Sequence, residues 1–135
     1  MNTTKNTSRR NAVEGQLFVM QMWECGMYIV GRSSDVQKHI HLLSMRWGIA
    51  LIVHLAVATS DMRAAKRVML ASLHSSDAQA EGITKRLGAG QGAFRGPVDM
   101  IKQRAIAAAA QFPAAPHAQL AQSQWIQGKR LIQTN

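Results

Sequence analysis

The chain has 135 residues, 16 Lys and Arg against 7 Asp and Glu, and a formal charge of +9. Its hydrophobic share of 47% rules out wholesale disorder and its length suits one domain with a real core. With aromatics at 5%, eight Met and abundant Ala, the composition favours helix over sheet.

Residues 1–10 hold little to bury beside Lys5, Arg9 and Arg10, and are expected to form a flexible basic tail. Asn11 to Glu14 has capping-box spacing, whereas Leu17 to Val30 is rich in residues comfortable in strands. A hairpin turning near Glu24–Gly26 is favoured here over a buried helix. Cys25 is the only cysteine and sits among apolar neighbours, so it is expected to be a buried, reduced thiol in a cytoplasmic protein.

Ser34, Asp35 and Gln37 make a capping box, after which Val36, Ile40, Leu43, Trp47, Leu51, His54 and Ala58 recur at helical spacing. The pattern predicts a central helix from about Asp35 to Ala58, with Trp47 in the core and His54 a satisfied core histidine. Its charge-free stretch from Trp47 to Ser60 is shorter than the roughly 20 residues that span a bilayer, so no transmembrane segment is expected. Asp61 opens a helix with Met62, Ala65, Met69 and Leu73 inward. Ser76 to Gln79 opens another running to about Leu87. These two form a weak candidate helix-turn-helix, lacking the usual glycine in the turn.

Gly88 to Gly92 breaks the chain, and Pro97 restarts a helix with Val98, Ile101, Ala105, Ala108 and Phe112 on one stripe. A last helix is expected to carry Leu120, Trp125, Ile126, Leu131 and Ile132. The organisation expected is a tail (1–10), a core (11–87), a glycine-rich hinge (88–96) and a C-terminal helical arm (97–135). The fold class expected is mainly α: a compact bundle of four to five helices, with the N-terminal hairpin packed on the central one.

Asp35, Asp61, Asp77 and Asp99 all stand where helices should begin, next to orphan N–H groups and the positive end of the helix dipole. Little acid is left to oppose the cations or to run acid–base chemistry. No nucleophile with a base, no paired carboxylates and no metal-ligand spacing is complete, so no enzymatic activity, metal or cofactor is expected. His39 and His41, two residues apart, fall on different helix faces. The glycine run lacks the strand before it and the Lys-Ser or Lys-Thr after it that a phosphate loop requires.

The expected function is therefore that of a small, non-enzymatic nucleic-acid-binding or accessory protein, such as a DNA-binding regulator or a component of a nucleoprotein complex. It would contact phosphates more than bases, on DNA ahead of RNA. The expected contact residues are Arg63, Lys66, Arg67, Lys85, Arg86 and Arg95, with Arg9, Arg10, Lys129 and Arg130 as reinforcement. The rival is a helical adaptor or inhibitor that binds an acidic protein or self-assembles as a homo-oligomer, using Met- and Ala-rich faces. A third reading is peripheral membrane association through a basic amphipathic helix.

Overall fold

A computed structural model of the chain describes residues 12–22, 26–85 and 92–114. Two strands come first, β1 (Gly15–Met22) and β2 (Met27–Ser33), paired antiparallel from Gln16 opposite Ser33 to Gln21 opposite Tyr28. The N-terminal hairpin is thus present, its turn at 23–25 lying outside the described residues. Helix α1 (Val36–Trp47) follows, then β3 (Leu51–Thr59), α2 (Met62–Leu73), a short α3 (Ser76–Ala80), β4 (Thr84–Lys85), β5 (Ala93–Arg95) and α4 (Val98–Ala110). The strands form one five-stranded sheet in the order β3-β1-β2-β5-β4, antiparallel at every pairing.

The molecule is an α/β fold, which corrects the expected helical bundle. The error lies in the central helix. It stops at Trp47, where Gly48 takes a left-handed conformation (φ 67°) and returns its N–H to the Ser44 carbonyl at 2.8 Å. Ser44 Oγ donates to the carbonyl of Ile49 at 2.7 Å and closes the end. Glycine tolerates this conformation where a side chain would not. Leu51–Thr59 then continues as a strand, because a strand buried on both faces presents an unbroken apolar run that helical periodicity also fits. Trp47 consequently leaves the core, 40% exposed at the helix end.

Helices cover both faces of the sheet. On one, α2 and α4 enclose Leu17, Val19, Val30, Leu55, Val57 and Phe94. On the other, α1 packs Val36 and Ile40 against Phe18, Met20, Leu51, Val53 and Ala56. The odd-numbered residues of β3 change face along its length: Leu51 and Val53 face α1, Leu55 and Val57 face α2 and α4. A one-residue irregularity makes this possible. Val19 pairs with Leu55 and Met20 with Val53, leaving His54 as the extra residue of a β-bulge.

The helix starts follow the acidic signals. Asp35 accepts from Lys38 N at 3.1 Å and Asp61 from Ala64 N at 3.2 Å, capping α1 and α2. Asp77 and Asp99 occupy the first turns of α3 and α4. Arg104 of α4 reaches Glu81 at 2.9 Å and the Ser72 carbonyl at 3.0 Å, tying α4 to the end of α2.

Close approach to the sheet depends on Gly31. A Cβ there would stand 2.6 Å from the Phe18 ring, which lies over β2 from the neighbouring strand. Gly31→Ala should therefore cost about 1–3 kcal/mol of stability by overpacking, read as a lower urea midpoint at unchanged slope. A loss within the roughly 0.5 kcal/mol typical of neutral surface changes would show that the ring has room to move.

Candidate nucleic-acid interface

The predicted cations divide into three groups. Arg9, Arg10, Arg86, Lys129 and Arg130 lie outside the described residues. Lys85 and Arg95 are both exposed on neighbouring strands. Register pairs Lys85 with Phe94 and Arg95 with Thr84, so the two side chains stand on opposite faces of the sheet. Arg63, Lys66 and Arg67 do share one helix, α2, at spacings that make them neighbours on its surface. Arg63 and Arg67 are exposed and Lys66 is half-buried.

Lys66 turns out to belong to a second constellation. Burial and the nearby Arg32 guanidinium both hold its ammonium below the usual lysine range. Burial, and then Lys66 itself, likewise hold His39 below an ordinary histidine. Arg32 comes from β2, His39 from α1 and Lys66 from α2, so three elements deliver two cations and an imidazole to one end of the sheet. The cause is local. Beyond Ile29, β2 loses β5 as a strand partner, keeping only a bond from Val30 N to the Gly92 carbonyl at 2.8 Å. The segment Gly31–Ser33 is thereby left at an open edge among the described residues, where groups from both faces can meet. His39 is fixed there by its ring contact with Phe18, with centroids 5.5 Å apart.

Among the described residues these three side chains make no hydrogen bond or ion pair. Of the acids at this end, Asp35 and Asp61 each accept a helix N–H, while Glu14 is exposed just before β1. Arg32 and Lys66, which make no ion pair among the described residues, suit an anion, above all a phosphate. Sequence reasoning picked out Lys66 but missed Arg32 and His39. The alternation of Tyr28, Val30 and Arg32 would have placed Arg32 on the α2 side of a strand, but nothing local showed which helix would cross that edge.

The remaining expectations fall out as follows. The helix-turn-helix fails, because α3 spans five residues and β4 takes up part of the predicted second helix. His54 is half-buried as expected, but on a strand, bonded to Gln21 Oε1 at 2.8 Å and edge-on to Tyr28. Burial, and then Lys102, lower its pKa, with Asp99 opposing. His39 and His41 fall on different faces, half-buried and exposed. Among the described residues no group of three His, Cys, Asp or Glu could hold a metal ion, and no helix is long and apolar enough to cross a membrane. One surface depression, of about 290 Å³, lies at the start of α1 against Lys38 and His41; a second, of about 250 Å³, is an apolar groove between β3 and α4.

No family model matches this chain, and neither the curated proteins nor the solved structures contain a match to it.

Two stability effects follow from the lowered pKa values of these groups, whose first cause is burial. The ammonium of Lys66 titrates lower in the fold than its ordinary 10.5, so at any pH below that folded pKa the charged lysine is a full penalty on the native state. Lys66→Gln should accordingly raise the thermal midpoint at pH 7, and a fall there would mean that a hidden partner stabilises the ammonium. His39 and His54 both titrate below 6.5 in the fold, so the native state resists their protonation. Stability present above about pH 6.5 should decline as acidification proceeds through and below that value. In thermal melts from pH 7.5 to 5.5, His39→Gln combined with His54→Gln should flatten that decline. An unchanged slope would assign it to other groups.

Proposed function

We propose that this chain is a small non-enzymatic protein that binds nucleic acid through its phosphates, using the outer face of α2 and the adjoining edge of β2. The observation that carries this reading is the set of Arg32, His39 and Lys66 with no acid among them, continued along α2 by exposed Arg63 and Arg67. Each cation that meets a phosphate releases a condensed counter-ion, so such a strip is enough for affinity.

DNA is favoured over RNA because helices cover both faces of the sheet, leaving no open aromatic platform for single-stranded bases. Base reading is not expected, since α3 is too short to serve as a recognition helix. A regulator without strong sequence preference, or a component of a nucleoprotein complex, fits this chemistry. A reducing, cytoplasmic setting suits a chain with one cysteine.

Binding to unrelated duplexes should weaken steeply with salt, each phosphate contact adding a slope of about −0.9 in log–log form. Replacing Arg63, Lys66 and Arg67 together by Ala should lower that slope by up to about three and weaken all sequences alike. Absence of binding to any duplex at low salt would remove this reading.

One observation favours a second reading, an adaptor for an acidic protein. On the solvent face of α1, Leu42 and Met45 are 53% and 68% exposed, beside Lys38, His41 and Arg46 and with no acid on the helix. Protein free of nucleic acid that retains an acidic partner through washes at low salt, and loses it on Leu42→Asp, would support it.

A further inference from the structure

The groove between β3 and α4 plays no part in the phosphate-binding reading. It holds about 250 Å³ and is lined by Val57 and Ala58 of β3, Ile106 and Ala110 of α4, and Pro113 and Ala114 beyond the helix. Every one of these residues is apolar. Ile106 is 46% exposed, although Ala105, Ala108 and Ala109 of the same helix are buried. β3 is also the outermost strand of the sheet, and its edge opposite β1 has no strand beside it among the described residues. It has the bulge at His54, but its nine residues include neither a charge nor a proline to protect that edge. Proteins commonly cover an edge of this kind with another part of the chain.

The chain itself leads to this place. The Phe112 carbonyl accepts from the Ser60 N–H and from the Thr59 hydroxyl, at 2.8 Å each. Two residues on, Ala114 lines the groove beside Val57 and Ala58, so the chain runs back along β3 against its direction. Residues 115–135 follow. From Ala115 to Gly128 they hold no Asp, Glu, Lys or Arg, but they include Leu120, Trp125 and Ile126. An uncharged segment thus continues directly from an uncharged groove, in a chain of charge +9. A second copy brings the same repelling charge, and an acidic partner is drawn to the cations instead. The tether favours the chain's own segment further, because it makes docking intramolecular. Strand pairing should not continue. Counting in twos from Phe112, Pro116 takes a position whose N–H would face β3, and proline has none. We propose that residues 115–128 fold back over the β3–α4 groove by side-chain packing and so cover the outer edge of the sheet. Trp125, with the largest apolar area in the segment, is the anchor against Ile106. α4 rests on β3 and β1 whereas α2 rests on β1 and β2, so the docked segment leaves the cations of α2 clear.

The test uses the full chain with its methyl groups labelled for NMR. In dilute, monomeric protein the Trp125 indole protons should show nuclear Overhauser contacts to the Ile106 methyls. In a chain carrying Trp23→Phe and Trp47→Phe, acrylamide quenching then reports Trp125 alone. Apolar burial should make the docked form outnumber the open one by about tenfold or more, equivalent to about 1.4 kcal/mol. Adding Ile106→Asp should bring the two forms to within about twofold of each other while far-UV circular dichroism stays unchanged. A Trp125 quenched as freely in the native chain as in urea overturns the proposal. So does a folded Ile106→Asp chain in which Trp125 stays as shielded as before. Contacts that appear only between copies carrying different labels mean that the groove takes a second copy's segment, which overturns the assignment to the chain's own. Should a variant fail to fold, the Overhauser contacts of the native chain decide the matter alone.

Discussion

The structure hangs on β1. Four consecutive residues, Leu17, Phe18, Val19 and Met20, are at most 2% exposed, so the strand is buried on both faces. It also pairs on both edges, with β2 and with β3. A strand held this way has one tolerable register, because a slip by one residue would exchange the two faces wholesale. Leu17 and Val19 then seat α2 and α4, while Phe18 and Met20 seat α1. The cationic edge inherits its position from the same pairing. Phe18, opposite Gly31, carries the contact to His39, and Gly15 at the start of β1 lies against the Met62 side chain at the start of α2.

Much of the local structure could be read from residues whose meaning does not depend on the tertiary fold. Asp35 and Asp61 announce α1 and α2 through short-range hydrogen bonds, and Pro97 announces α4. The hairpin could be read from its β-rich halves. The stretch after Trp47 could not be read this way, because burial on both faces erases alternation. What distinguished helix from strand was Gly48 followed by the β-branched Ile49, Ile52, Val53, Val57 and Thr59. Helical spacing across Gly48 matched by accident. The candidate interface divides likewise. Arg63, Lys66 and Arg67 lie on one helix and could be recognised as neighbours, whereas Arg32 and His39 approach Lys66 only because β3 brings the chain back and, among the described residues, β5 pairs with β2 no further than Ile29.

The charge economy of the chain explains why that edge stays bare. Four of seven carboxylates are committed at helix starts and Glu81 is committed to Arg104. Ordinary surfaces intersperse both signs, which keeps like charges from accumulating at one point. Here most of the acids are spent on local folding signals, and Arg32 and Lys66 make no ion pair with those among the described residues. Functional surfaces often carry such a local cost, offset by the stability of the scaffold around them.

The bulge at His54 gives β3 something like a reading frame. Before it, odd-numbered side chains belong to the α1 core; after it, odd-numbered side chains belong to the α2 and α4 core. Loss of the bulge residue would leave a regular strand with the other side chains in their present layers, whereas loss of the codon for Ile52, Val53 or Ala56 would turn residues on one side of it into the wrong layer. Substitutions along β3 alter packing one residue at a time, whereas a change of length is a change of phase. Among small alterations, the fold is therefore far more exposed to insertion and deletion in this strand than to the exchange of one apolar residue for another.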